Sequence, residues 1–106
     1  WNDAVIAGGL IGQKVVLNEF IAYLQLSQTP VGTGAGQISE NTRLILTYAL
    51  CGFANFASIA IQIGGIGGLA PERRSDLARF GLRAVLGGSI ATLMTATIAG
   101  VLIHLR

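Results

Sequence analysis

Two stretches without a single charged side chain limit what this chain can become. The first runs from Leu44 to Ala70, between Arg43 and Glu72, and the second from Ala84 to Ile103, between Arg83 and His104. Crossing the hydrocarbon core of a bilayer, about 30 Å, takes about 20 helical residues, and each stretch is long enough. Helices of a soluble bundle would carry a polar stripe, and neither run has one. The rest of the composition agrees. Of the 106 residues 52% are apolar and 11% charged, less than half the roughly 25% charged share of soluble domains. The chain therefore reads as an all-α membrane protein.

Other classes fall away on charge and cysteine usage. Seven basic and five acidic residues give a net charge of +2, with lysine only at position 14. That is no footprint for a phosphate backbone, so no nucleic acid partner is expected. One cysteine, Cys51, excludes an internal disulfide and a thiolate metal site. No metal ligand set or cofactor is expected. An enzyme is not expected either, because Ser58, His104 and Asp76 sit on separate levels without a nucleophile and base pair. Methionine occurs only at Met94, and Trp1-Asn2-Asp3 lacks the basic start of a signal peptide, so the sequence reads as a piece of a longer protein.

The placement of the charges orients the spans. Arg73, Arg74, Arg79 and Arg83 cluster between the two uncharged runs, whereas the loop from Ser27 to Glu40 has no basic residue. By the positive-inside rule the arginine loop is cytoplasmic. Ser75 is a candidate helix cap, with Asp76 in the first turn. The last helix, residues 75–105, carries Ala84, Gly88, Thr92, Ala96 and Gly100 at four-residue spacing. Small residues on one face let a neighbouring backbone approach closely within a membrane, so this is a packing face, with a hydroxyl-bearing pore lining as the other reading.

The span over residues 41–70 is interrupted. Gly52 costs about 1 kcal/mol of helix propensity against alanine, and Asn55 brings an amide near the middle of the membrane. Asn55 and Ser58 stand three apart and share a helix face, with Phe53 just before them. Either the amide bonds to a neighbouring helix and holds the bundle together, or these groups orient a small polar ligand. The glycine pairs at 64–65 and 67–68 match no dinucleotide or P-loop spacing and suggest a flexible or closely packed helix end.

The first 26 residues are apolar apart from a few polar positions, with Gly8, Gly9 and Gly12 in their middle. Each half, about 12 residues or ~18 Å of helix, is too short to cross. Two half-helices meeting at a glycine turn make a re-entrant hairpin, tolerated at depth only where protein or a water-filled cavity surrounds it. Lys14, Asn18 and Glu19 come just after that turn. An intramembrane carboxylate is a functional candidate; the alternative is a structural ion pair with Lys14, for which a five-residue separation is poor. Broken helices, a midplane carboxylate and a second span with polar groups describe a secondary transporter site. A structural membrane subunit or a channel segment without coupled transport is the competing reading.

At these residues the chain resembles a known family. Gly12-Gln13-Lys14-Val15-Val16-Leu17-Asn18-Glu19-Phe20-Ile21-Ala22-Tyr23, Cys51-Gly52-Phe53-Ala54-Asn55 and Gly64-Gly65-Ile66-Gly67-Gly68-Leu69-Ala70-Pro71-Glu72-Arg73-Arg74 are similar to the carboxy-terminal part of the concentrative nucleoside transporters. Ile21 stands where the family signature has valine. The resemblance implies an ion-coupled nucleoside symporter, homotrimeric at full length, in a bacterial inner (plasma) membrane. It implies a re-entrant hairpin at 1–26, an external loop at 27–40, a broken transmembrane helix at 41–70 and a last transmembrane helix at 75–105. It further implies that Glu19, Asn55 and Ser58 bind the ribose and that Phe53 lies against the nucleoside, with Lys14 and Asn18 in support. The coupling ion, Na+ or H+, and the base are expected to be bound mainly by the rest of the transporter chain.

Overall fold

A computed structural model describes residues 1–105. Five α-helices occur in order: α1 (Ala4–Val16), α2 (Glu19–Gln28), α3 (Glu40–Ala49), α4 (Phe56–Leu69) and α5 (Arg74–His104), with a 3-10 turn at Pro71–Arg73. Among the described residues there is no strand, only an isolated bridge between Val31 and Ile38.

The first pair is a helical hairpin, but its turn is not at the glycines. Helix α1 continues through Gly8, Gly9 and Gly12 and ends at Val16. The reversal uses Leu17 and Asn18. Asn18 is extended, and its side chain accepts a hydrogen bond from the Ile21 amide at 3.0 Å, while Glu19 puts a negative charge in the first turn of α2. A cap and an acidic first turn restart a helix strongly, and three glycines, two of them adjacent, do not stop this one. The arms are clamped by Gln13 Nε2 donating to Gln25 Oε1 at 2.8 Å.

Apolar side chains join the hairpin to α3 and the loop before it. Leu10, Ala22, Leu26, Ile38, Leu46 and Leu50 form one buried cluster drawn from both arms, the connecting loop, α3 and its C-terminal end. The open end of the hairpin is tied to α3 as well. Asp3 Oδ2 accepts from the Ser39 amide at 3.0 Å and from its hydroxyl at 2.8 Å, and Ser39 in turn caps α3 by accepting from the Thr42 amide. Hydrogen bonds from Thr42 and Ser39 lower the Asp3 carboxyl from its ordinary pKa of 3.8.

Helices α3 and α4 are two halves of one interrupted rod lying along α5. Gly52 has φ +121, a conformation only glycine adopts readily, and a Cβ there would meet Thr92 Cγ2 at 3.0 Å. On the facing helix a Cβ on Gly88 would come within 3.0 Å of the Ala54 Cβ, so the small residues of α5 receive the break itself. Helix α4 continues through the glycine pairs after Ile63 and ends at Leu69. Ser75 lies inside α5 rather than capping it, because the preceding 3-10 turn already supplies the helix start. Arg73 pairs with Asp76 there at 3.0 Å. One helix, Pro71–His104, is long and apolar enough to cross a membrane.

Candidate functional site

Two helix starts meet where the hairpin reversal faces the break between α3 and α4. Asn55 is extended and caps α4: its Oδ1 accepts from the Ser58 amide at 2.8 Å. The three-residue spacing to Ser58 predicts Asn55 within a helix; the structure puts it one residue before. Its amide nitrogen is thereby free to turn outward, and Nδ2 donates to Glu19 Oε2 at 3.0 Å. Asn55 is 1% exposed and Glu19 half-buried, so the bond is partly shielded from water. Glu19 is the first residue of α2, where the positive end of the helix dipole favours a carboxylate.

Ser58 completes the polar group. Its hydroxyl lies 2.5 Å from the Phe53 carbonyl oxygen and 2.9 Å from Asn55 Oδ1, and one proton serves these two acceptors. The Phe53 ring is 78% exposed, standing at the rim. The structure thus brings together Glu19, Phe53, Asn55 and Ser58. Asn18 takes part as the cap that aims Glu19. Lys14 is buried below them in the last turn of α1; the Lys14 to Glu19 ion pair does not form, since Arg73 with Asp76 is the one ion pair among the described residues.

Sequence reasoning missed two participants. Gln62 lines a groove of about 530 Å³ together with Phe53 and Ser58. Its four-residue spacing from Ser58 was the available signal. Tyr23 donates from its hydroxyl to the Thr47 carbonyl at 2.6 Å, fixing α2 against the end of α3. That contact joins residues 24 apart in sequence, and no local pattern announces it.

Chemically, the site offers an acceptor-only carboxylate, an amide that donates and accepts, and a hydroxyl, beside an aromatic face. Half-helix N-termini converging on a small polar site between interrupted helices are an arrangement found in membrane transporters.

Known proteins agree with that class. The family model described as "Na+ dependent nucleoside transporter C-terminus" matches residues 1–100. The chain belongs to the concentrative nucleoside transporter family, a family of transporters and not of enzymes. An uncharacterized transporter of Bacillus subtilis, YutK, is 55% identical over 103 residues, 97% of this chain and 24% of that protein. Nucleoside permease NupC of Helicobacter pylori is 47% identical over 106 residues, 100% of this chain and 25% of that one. The structure of CNTnw in an inward-facing substrate-bound state superposes with a TM-score of 0.90 at 50% identity, over 100% of this chain and 26% of that chain. An outward-facing variant of CNTnw gives 0.89 at 49% identity, over 100% and 25%. The chain spans about a quarter of the length of the curated relatives it matches.

Proposed function

We propose that this chain is the ribose-binding segment of an ion-coupled nucleoside symporter. Helices α1 and α2 form a re-entrant hairpin entering from outside, α3 and α4 a broken span, and α5 the returning span. The turn around Arg73 and Arg74 is cytoplasmic. The membrane is a bacterial inner membrane, and the full-length protein is a homotrimer in which other parts of the chain hold the base and most of the Na+ or H+ site.

The observation that carries this reading is the Asn55 to Glu19 hydrogen bond, 3.0 Å long and joining the starts of two half-helices. In the reading, Glu19 accepts from the ribose hydroxyls, Asn55 and Ser58 bind the sugar from the facing side, and Phe53 covers the nucleoside. A substrate lacking a hydroxyl leaves buried polar groups unpaired, costing roughly 1 to 3 kcal/mol per group. Glu19→Gln in the full-length transporter is expected to abolish concentrative nucleoside uptake, and an ionophore is expected to collapse uptake by the unaltered protein. Unchanged uptake by the Glu19→Gln variant refutes the ribose site; uptake indifferent to the ionophore refutes coupling.

A further inference from the structure

The arginines around the start of α5 do not share one role. Arg73 pairs with Asp76 at 3.0 Å, and the Arg74 side chain lies across Gly67 of α4, where a Cβ would meet its Cγ at 2.8 Å. Both are used by the fold. Arg79 and Arg83 are exposed, and neither takes part in an ion pair among the described residues. The Arg83 guanidinium stands 5.9 Å from the centre of the Phe80 ring. That cation–π contact steadies the group and leaves its N–H donors without an acceptor.

These two charges head an apolar strip. At 3.6 residues per turn, Arg79, Arg83, Leu86 and Ile90 fall within about 60° of one another around α5. Leu86 is 65% exposed and Ile90 59%. The buried residues of α5, Val85 and Ala96, lie about 120° away around the helix, so the strip faces away from the rest of this chain. Leu86 is about 10 Å further along the helix than Arg79, and this helix is long and apolar enough to cross a membrane. Positive charge therefore comes at the membrane surface, and apolar side chains follow in its depth.

An anionic phospholipid presents the complement in the same order, phosphate outermost and acyl chains beneath. A guanidinium suits that phosphate, because its planar fork donates two parallel hydrogen bonds. A zwitterionic lipid also has a phosphate but offsets it with its own ammonium. Basic groups at the cytoplasmic end of a span accordingly attract anionic headgroups.

We propose that Arg79 and Arg83 hold the headgroup phosphate of an anionic phospholipid of the inner leaflet, with an acyl chain lying along Leu86 and Ile90. The proposal rests on the membrane topology given above. It divides the arginines by work: Arg73 and Arg74 join α5 to α4, and Arg79 and Arg83 fix the level of α5 in the bilayer.

The test is native mass spectrometry of the full-length transporter in detergent with added phosphatidylglycerol or phosphatidylcholine. Three proteins are compared: the unaltered one, Arg73→Gln, and Arg79→Gln combined with Arg83→Gln. The combined variant is expected to hold phosphatidylglycerol about twentyfold more weakly, from about fivefold for each arginine removed, and phosphatidylcholine equally well. Arg73→Gln is expected to change neither. If the combined variant yields no protein in the membrane, Arg79→Lys with Arg83→Lys is expected to keep the charge-driven part of the preference and lose the part due to the fork. Phosphatidylglycerol held equally by the unaltered protein and the combined variant overturns the proposal and leaves the strip to another part of the transporter chain. Displacement of the lipid by an equal concentration of inorganic phosphate overturns it as well, in favour of a free-anion site. Labelling of Glu72→Cys in intact cells by an impermeant maleimide defeats the topology, whereas protection there with no loss of lipid in the combined variant defeats this proposal alone.

Discussion

Asparagine stands before the helix at both turns of the site, and its two occurrences do different work. Asn18 Oδ1 caps α2 through the Ile21 amide. Asn55 Oδ1 caps α4 through the Ser58 amide, and its Nδ2 also reaches Glu19. Replacing a capping asparagine by alanine costs about 1 kcal/mol. Asn18→Ala is therefore expected to lower thermal stability by that order with a smaller effect on nucleoside affinity. Asn55→Ala removes the cap and also leaves a half-buried carboxylate oxygen of Glu19 without its partner, an added penalty of about 1 to 3 kcal/mol. It is expected to weaken nucleoside binding about tenfold or more at a comparable loss of cap energy. Titration calorimetry and thermal unfolding of the two full-length variants read the difference; equal losses of affinity would show that Asn55 acts as a cap only. The residue types of the site were legible in the sequence, because an amide and a carboxylate in apolar surroundings demand partners. Their pairing was not, since Glu19 and Asn55 are 36 residues apart.

Elements obey their start signals more closely than their breakers. Asn18-Glu19, Ser39-Glu40 and Asn55 each place a cap immediately before a helix, and the first of these marks the true turn of the hairpin, which glycine content misplaces. Gly8, Gly9 and Gly12 lie inside α1, and a Cβ at any of them meets nothing within 4 Å, so the fold does not require glycine there. Gly52 differs in kind, with φ +121 and the Thr92 methyl 3.0 Å from where a Cβ would stand. Gly52→Ala forces a conformation that costs on the order of 1 to 3 kcal/mol in a non-glycine residue and displaces the stretch of backbone that aims Asn55. It is expected to lower both the unfolding midpoint and nucleoside affinity. Gly64→Ala, inside α4 with open space around it, is expected to be neutral or to stabilise by up to about 1 kcal/mol. Thermal unfolding of the two variants side by side checks the contrast, and equal destabilisation would mean that the break does not depend on the φ of Gly52.

The whole molecule is set by two stripes on α5. Gly88, Thr92, Ala96 and Gly100 repeat every fourth residue on the side facing α3 and α4, where Ala96 is buried. Leu82, Leu86, Ile90, Met94, Ile98 and Leu102 repeat at the same spacing two residues out of phase, and all six are exposed. A shift of two residues is about 200° around a helix of 3.6 residues per turn, so the stripes lie on opposite faces. One packs the broken helix, and the other presents a continuous apolar surface of a kind that soluble monomers avoid. The packing stripe was readable from residue sizes alone; its seat on the break at Gly52 and Ala54 needed the fold. The same anatomy bears on activity. Phe53 and Ser58 open onto the α4 and α5 groove. The chain superposes about equally on inward-facing and outward-facing CNTnw, with TM-scores of 0.90 and 0.89. Alternating access needs a second body for the site to move against. Vesicles containing only this chain are therefore expected to hold it in the bilayer, as protease protection of α5 would show, and to accumulate no nucleoside in an imposed ion gradient. Vesicles with the full-length transporter are expected to accumulate it. Gradient-driven accumulation by the isolated chain would mean that the segment closes its own site, contrary to the open groove and to the need for a moving partner.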